Sequence, residues 1–311
     1  MSQRHPFILI LILGLSIIVL LYGCSDVAEM TEVGTQIAQD SGAITDDEAE
    51  SIRRTSKAFE KTQQELTPEQ EYYVGRAVVA TVLQSYQPLD QPQANDYLNL
   101  LGQSLAVFSD CPETFGGYHF LLLDSDEVNA FAAPGGLILV TRGMLRCCEN
   151  EDELAAVLAH EICHVSMKHG LQAIKQGRMT EALTILAAES AKQFGDEELA
   201  TLTREFEASV GDIVMTLTTS GYSRGQEREA DGAAVALLRR AGYPEAAILA
   251  MLSRMNERLV DSGGLGFAKT HPSAKSRADS LSSTVSSAEF VPDAARKERF
   301  SAAMQSILAG G

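Results

Sequence analysis

Apolar residues recur every three or four positions over much of this chain, which is the spacing of one face of an amphipathic helix. The clearest such segment runs from Asn150, a residue type that caps helices, to Gly170, a residue type that ends them. Residues 118–124 and 137–141 are instead short apolar stretches, which are typical of buried strands. These patterns predict an α+β fold, with a mostly helical body and a small sheet of few strands.

Further helices are expected on both sides of this segment. Thr67, Pro68 and Gln70 have the signature of a helix start, in which Thr67 caps the first turn and Gln70 completes a capping box. The same periodicity predicts helices at 51–64, around 98–107, within 179–218, at 223–241, from Pro244 onward and at 293–308.

The first residues have the pattern of an export signal. Arg4 precedes an apolar run over residues 7–21, which is shorter than the about 20 residues of a membrane span and is typical of a signal peptide. The next residues, ending at Gly23-Cys24, resemble the lipobox of bacterial lipoproteins, although Tyr22 is bulkier than the usual residue. The resemblance implies that Cys24 is acylated and becomes the new N-terminus. An uncleaved membrane anchor is the alternative.

This interpretation divides the chain into a lipoprotein signal peptide at 1–23, an acidic tether with an N-terminal helix at 24–64, and a folded domain at 65–311. Ser25 rather than Asp follows Cys24. By resemblance to Gram-negative lipoproteins, this implies the periplasmic face of the outer membrane. We therefore expect a bacterial envelope protein that contacts the membrane through a lipid anchor.

The net charge and the cysteines indicate which partners and which disulfides to expect. The formal net charge is −17, which argues against a nucleic-acid partner because nucleic-acid binding needs a basic surface. Four cysteines lie beyond the lipobox, and an oxidising compartment permits disulfides among them. A bond between the neighbours Cys147 and Cys148 would be strained. We expect one of them to pair with Cys111, and Cys163 to stay reduced and buried.

His160, Glu161 and His164 form an HExxH sequence inside the predicted helix. Residues four apart share one helix face, so both imidazoles can reach one zinc ion. Glu161 lies beside that face, where it can take a proton from the attacking water. Two surface histidines without a metal are the alternative. The helix cap, the glutamate and the apolar stripe of the same helix argue against it.

A catalytic zinc takes three protein ligands and keeps one position open. The metzincin pattern would place its third histidine at position 170, where this chain has Gly170, so that class is excluded. His169 is one position away and is expected to be a solvated residue at the helix end. The third ligand must therefore lie elsewhere in the chain.

Glu227 and Asp231 lie four residues apart on the predicted helix at 223–241 and share one of its faces. Ala230 and Ala234 are small, which allows another helix to pack closely. One carboxylate can bind zinc while the other orients a ligating histidine. Without the HExxH sequence, the same charges would indicate a solvated helix face.

HExxH followed by the run from Glu227 to Asp231 resembles the gluzincin metallopeptidases of the HtpX and CAAX prenyl endopeptidase family, including its periplasmic lipoprotein branch. Three other stretches resemble the family's motifs, namely 129–136, 137–145 and His271-Pro272 with Arg277. The resemblance covers roughly residues 67–280. It implies a zincin-like domain that holds one Zn²⁺ through His160, His164 and Glu227, with Asp231 in support.

Asn129, Pro134, Gly135 and Gly136 are the candidate substrate-binding residues. Glycines let backbone approach closely. An exposed strand edge beside the metal can pair with an extended polypeptide as an added strand. An ordinary buried hairpin is the alternative.

His271 and Arg277 each have more than one role open to them. His271 can be a fourth zinc ligand in a resting state, a catalytic residue that donates a hydrogen bond to the developing oxyanion, or merely the start of a helix. Arg277 can anchor carboxylates near the site or only a local turn.

Together these features predict a zinc-dependent metalloendopeptidase in which zinc and Glu161 activate water to hydrolyse a polypeptide. Beyond the first residues there is no second long apolar run, which argues against processing of prenylated proteins inside a bilayer. The lipoprotein branch implies quality control of unfolded or misfolded envelope proteins. A chaperone-like or binding lipoprotein with a latent zinc site is the alternative, and the intact Glu161 counts against it.

Overall fold

In a computed structural model of the chain, the described residues are 35–39, 45–46, 49, 66–173, 196–261, 271, 273–285 and 291–308. Two compact units are formed, by residues 1–65 and 66–311. In the first unit a short helical segment spans 35–39, and the side chain of Gln39 donates to Asp46 at 2.7 Å. The signal peptide, Cys24, most of the tether and the helix expected at 51–64 lie outside the described residues.

The second unit is mostly helical and contains one small sheet, so the predicted α+β class is confirmed. In chain order its elements are α1 (Pro68–Val82), α2 (Pro92–Ala106), β1 (His119–Leu123), β2 (Ala130–Ala133), β3 (Leu137–Thr141), α3 (Arg142–Cys147), α4 (Glu151–Ser166), α5 (His169–Gln172), α6 (Asp196–Met215), α7 (Arg224–Arg240), α8 (Ala246–Asp261), α9 (Ala274–Leu281), α10 (Ala294–Ala303) and α11 (Gln305–Leu308). A 3-10 turn at Pro134–Gly136 joins β2 to β3, and a π-helical turn at Thr216–Ser220 follows α6. Among the helices of the described residues, none is both long and apolar enough to cross a membrane.

The middle strand of the three-stranded sheet is β3, which runs parallel to β1 and antiparallel to β2. Ile138 of β3 lies opposite Phe120 on one side and Ala132 on the other. The strands predicted at 118–124 and 137–141 are confirmed. The expectation of an exposed edge on the strand after the glycines is wrong, because β3 is paired on both sides.

Side chains and a loop, rather than another strand, cover the outer edge of β1. Asn99 of α2 accepts a hydrogen bond from the backbone N–H of Phe120 at 2.9 Å and donates to its carbonyl at 2.6 Å. Asn95 accepts from the N–H of Leu122 at 3.0 Å, and the N–H of Leu89 donates to the carbonyl of Leu122 at 2.8 Å. The outward-facing backbone groups of this strand are therefore satisfied.

Helix α4 lies at the centre of the unit and is buried from Glu151 to Val165. Its predicted cap is confirmed, since the side chain of Asn150 accepts from the backbone N–H of Glu153 at 2.9 Å. The helix ends at Ser166 instead of continuing to Gly170. Lys168 adopts a left-handed conformation with φ 55°, which turns the chain into the short helix α5.

The turn between β2 and β3 packs backbone to backbone against α1. Gly135 has φ 75°, and a Cβ atom there would lie 2.7 Å from the Cα of Tyr72. A Cβ on Gly75 of α1 would lie 1.9 Å from the carbonyl oxygen of Pro134. Only glycine meets both the conformation and the contact at position 135, so this residue has a structural role of its own.

The four cysteines among the described residues are all free, so the predicted pairing of Cys111 with Cys147 or Cys148 is wrong. The sulfur of Cys148 lies in the core, 3.7 Å from that of Met251, whereas Cys111 is partly exposed. Cys163 is free and buried, as predicted. Burial raises its pKa to about 12 and keeps it a thiol.

Candidate metal centre

Two packed helices bring the predicted metal ligands together. Helix α4 carries His160 and His164, and α7 carries Glu227. The two helices are in direct contact, and Ala230 and Ala234 of α7 are fully buried. These small side chains let the helices approach closely, as the sequence predicts.

Donor atoms of His160, His164, Glu227 and His271 all lie within 4.8 Å of one another, and all four residues are buried. The Nε2 atoms of His160 and His164 are 3.0 Å apart. The carboxylate of Glu227 lies 3.6 Å from the first of these nitrogens and 3.4 Å from the second. Ligands at about 2.0–2.1 Å from a tetrahedral zinc ion stand about 3.3 Å apart. The spacing and chemistry of these donors therefore fit zinc.

A buried ion pair fixes the orientation of His160. Its Nδ1 lies 3.0 Å from Oδ1 of Asp231, and Arg277 donates to both oxygens of Asp231, at 2.9 and 2.6 Å. Burial opposes ionisation of Asp231, but the neighbouring Arg277 and His160 outweigh it and hold the pKa of that carboxyl well below its usual range. Asp231 therefore accepts a hydrogen bond from the Nδ1–H group of His160. This leaves Nε2 of His160 to face a metal.

Glu161 is buried beside the donors, and no hydrogen bond from the described residues reaches either of its carboxylate oxygens. Burial raises its pKa, while His271 and His160 oppose the shift. An unsatisfied buried carboxylate is costly to a fold. A raised pKa is what a general base needs to work near neutral pH. The arrangement thus provides an acceptor without a hydrogen bond from the described residues next to the four metal donors.

Glu227 connects His271 to the centre. Nδ1 of His271 lies 2.7 Å from Oε1 of Glu227. Burial opposes ionisation of Glu227, but His271 and His164 outweigh it and hold its pKa far below the usual range. Glu227 is therefore a carboxylate that can bind a cation. The position of His271 is compatible with both a ligand and an oxyanion donor, and these roles stay predictions.

His169 belongs to the centre, which corrects the expectation that it is solvated. It is completely buried, and its Nδ1 lies 2.8 Å from Nδ1 of His164. Burial lowers its pKa and favours the neutral imidazole. A spacing of five residues does not place two side chains on one helix face. The contact exists because the helix breaks at Lys168, and the hydrophobic pattern does not predict that break.

Tyr222 is a second residue that the sequence patterns do not single out. Its ring stacks on that of His164, with centroids 4.0 Å apart and planes 14° from parallel. Its hydroxyl lies 3.5 Å from the carbonyl oxygen of Ala132 in β2. It directly precedes Ser223, which caps α7 in a capping box with Gln226. The motif that starts this helix therefore also places the tyrosine, but a residue before a helix carries no sequence signal of such a role.

The candidate substrate-binding residues flank β2: Asn129 directly precedes the strand, and Pro134, Gly135 and Gly136 form the turn after it. The side chain of Asn129 accepts from the backbone N–H of Ala130 at 2.9 Å, which positions the start of β2. Pro134 and Gly135 line a cavity of about 10 Å³ together with His164. A second cavity of similar size borders Glu161 and His160. Each has room for about one water molecule, so the described residues enclose the centre closely.

Comparison with known proteins identifies the class to which this fold and site belong. The model of Peptidase family M48 matches residues 92–285, which is more than half of the chain, and the chain belongs to this family. The resemblance to zinc metallopeptidases is thereby confirmed, as are the metalloendopeptidase class and the requirement for zinc.

Several curated relatives match over the same region. The chain is 29% identical over 216 residues to the beta-barrel assembly-enhancing protease of Escherichia coli, covering 67% of this chain and 42% of that protein. It is 33% identical over 174 residues to the mitochondrial metalloendopeptidase OMA1 of Schizosaccharomyces pombe, covering 56% of this chain and 46% of that protein. Identity to the metalloprotease LoiP of E. coli is 26%, over 50% of this chain and 58% of that protein. The chain thus spans less than two thirds of each of these relatives.

Proposed function

We propose that this metalloendopeptidase hydrolyses unfolded or misfolded proteins of the bacterial envelope, with His160, His164 and Glu227 as its zinc ligands. The observation that carries the proposal is Glu161, a buried carboxylate without a hydrogen-bond partner among the described residues, beside donors spaced for zinc. A purely structural zinc site has no use for such a group. The name of the E. coli relative, a beta-barrel assembly-enhancing protease, supports an envelope substrate.

In the proposed mechanism, zinc polarises the scissile carbonyl and lowers the pKa of water when it is bound. Glu161 takes the proton of the attacking water and passes it to the leaving amine. Asp231 and Arg277 hold His160 so that Nε2 faces the centre. Nδ1 of His271 lies 2.7 Å from Glu227, and its other ring nitrogen, Nε2, would donate a hydrogen bond to the oxyanion that develops nearby.

The substrate side of the proposal concerns β2 and the turn after it. Asn129 and Pro134–Gly136 would hold the polypeptide next to Glu161, with β2 rather than β3 as the strand that it joins. The fold places β2 at the edge of the sheet on the side opposite β1. Its residues are buried and its Ala132 carbonyl faces Tyr222, so an added strand requires Tyr222 to move.

Replacement of Glu161 by Gln tests the enzyme assignment. The variant keeps the size of the side chain but cannot accept the proton, so we expect cleavage of unfolded β-casein to fall by at least about 100-fold with zinc content unchanged. Zinc is measured in the same purified samples. Glu149→Gln, an exposed carboxylate just before α4, is the control. Equal cleavage by the wild type and Glu161→Gln would disprove the role of Glu161.

A second function is favoured by how closely the centre is enclosed. Four donors converge on it, and each bordering cavity has room for only about one water molecule. A chaperone-like or binding protein with a latent zinc site fits the same picture. Purified wild type that binds zinc but cleaves no unfolded protein would support this second function.

A further inference from the structure

His164 is contacted on three sides of its ring. Nε2 faces His160 and Glu227, Tyr222 stacks on the ring face, and Nδ1 faces His169. Beyond His169, its Nε2 lies 3.4 Å from Oε2 of Glu229, which is close enough for an ion pair but lacks the geometry of a hydrogen bond. His169 has no exposed surface, whereas the side chain of Glu229 is 66% exposed. A chain of polar groups therefore runs from the donors to the solvent.

The 2.8 Å contact between the two Nδ1 atoms constrains the protons of both rings. One nitrogen must carry a proton and the other must not, since two N–H groups or two lone pairs repel each other. When Nε2 of His164 binds a metal, its proton is on Nδ1 and is donated to His169. His169 then accepts at Nδ1 and carries its own proton on Nε2, which faces the carboxylate of Glu229.

We infer that His169 is a positioning residue that orients the zinc ligand His164 and fixes its tautomer, and that Glu229 favours the tautomer of His169 which this requires. The inference rests on the proposed metal site at His160, His164 and Glu227. Asp231 orients the other histidine ligand, His160, in the same way, but with a carboxylate as the acceptor. Because the acceptor for His164 is a neutral imidazole, it adds no further negative charge to a centre that already holds the carboxylates of Glu161, Glu227 and Asp231.

Two substitutions at position 169 separate a positioning role from simple packing. His169→Leu fills the space but leaves Nδ1 of His164 without an acceptor, so we expect zinc affinity to fall 10–100-fold. In His169→Asn the amide oxygen takes the place of Nδ1 as acceptor, so affinity should stay within about threefold of the wild type. Affinity is measured by competition with a chromophoric chelator. The absorption spectrum of the Co²⁺-loaded protein reports ligand geometry and should change for His169→Leu alone.

Glu229 provides the second arm of the test. Glu229→Ala should weaken zinc binding by a smaller factor than His169→Leu, and the exposed neighbour Arg228→Ala should leave it unchanged. Urea unfolding of the metal-free proteins controls for folding. If His169→Leu does not fold, Glu229→Ala compared with Arg228→Ala decides.

The inference is overturned if His169→Leu binds zinc as tightly as the wild type, or if His169→Asn loses as much affinity as His169→Leu. When His169→Leu folds, equal zinc affinities for Glu229→Ala and Arg228→Ala would remove only Glu229 from the inference. When it does not fold, the same result overturns the inference. Failure of the proposed metal site has a different signature, since Glu227→Ala would then bind zinc as tightly as the wild type.

Discussion

Arg277 and Asp231 are both buried, and neither charge would be tolerated there without the other. The guanidinium donates to the two carboxylate oxygens through Nε and Nη2, a paired geometry that a lysine cannot reproduce. Because Asp231 in turn contacts His160, the position of a metal ligand depends on a residue 117 positions away in the sequence. The metal ligands therefore depend on buried charged residues that neutralise one another, and they do not act as independent donors.

Replacement of Arg277 by Lys tests this dependence. The positive charge is kept but the paired hydrogen bonds to Asp231 are lost, so we expect zinc affinity to fall by about tenfold. Competition with a chelator measures the zinc affinity, and urea unfolding measures separately whether the substitution also changes the stability of the fold. Arg224→Lys, an exposed arginine in the first turn of α7, is the matched control. Wild-type zinc affinity in Arg277→Lys would contradict the argument.

Much of the centre is predictable from the sequence because helix periodicity brings its residues together in pairs, each on one helix. His160 with His164, and Glu227 with Asp231, are each one helical turn apart, and spacing of this kind survives any arrangement of the helices. His169 and Tyr222 are not predictable in this way. The first depends on a left-handed residue at Lys168, and the second depends on how the chain enters α7.

At the scale of elements, the helix α10 is attached to the start of the active-site helix α4. Arg296 of α10 donates to Asp152 at 2.8 Å and to the carbonyl of Gly242 at 2.9 Å, and its guanidinium lies 4.1 Å from the ring centre of Tyr243. Arg299 donates to Glu151 at 2.8 and 2.5 Å. The family model ends at residue 285, before this helix. The segment beyond the family match thus supports the helix that carries the HExxH sequence.

Arg296→Ala should reduce the stability of the fold. It leaves Asp152, which has no exposed surface, without its main partner, and we expect the free energy of unfolding to fall by about 2–3 kcal/mol. Lys297→Ala removes the same charge from an exposed neighbouring position and should change it by less than about 0.5 kcal/mol. Urea unfolding at neutral pH compares the two variants. Indistinguishable midpoints would show that the Arg296 contacts contribute nothing.

The three strands are less uniformly predictable from the sequence than the residues of the metal centre. Strands β1 and β3 follow from apolar stretches with strong strand formers. Strand β2 instead contains three alanines, which carry little strand preference, and a single phenylalanine. It is a strand because β3 offers it an edge and α4 packs on it. This is an effect of tertiary contacts, so the local sequence pattern does not predict it. The position of β3 in the middle of the sheet is not predictable for the same reason.

At the scale of the whole molecule, the proposed organisation is a signal peptide at 1–23, a tether at 24–64 and the metallopeptidase domain at 65–311, held at the envelope membrane through Cys24. The domain is the part that matches the family. The anchor is an inference from the resemblance to a lipobox. It would keep the protease where newly exported polypeptides arrive.

Replacement of Cys24 by Ser tests the anchor. In a Gram-negative host, the wild type should fractionate with membranes and incorporate labelled palmitate, because the acylated cysteine partitions into lipid. Cys24→Ser should incorporate no label, and the control Cys111→Ser should behave like the wild type. A wild-type chain whose intact mass still includes residues 1–23 and lacks acyl groups would indicate the uncleaved anchor instead.

The asparagines of α2 have a consequence for how molecules of this protein meet one another. Exposed strand edges are the route by which sheets of separate molecules join and begin to aggregate. Asn95 and Asn99 occupy the backbone groups that such a neighbour would use on β1. The other edge is buried under the active-site helix and Tyr222. Among the described residues, a protease proposed to work among aggregating polypeptides therefore offers them no open strand edge while Tyr222 stays in place.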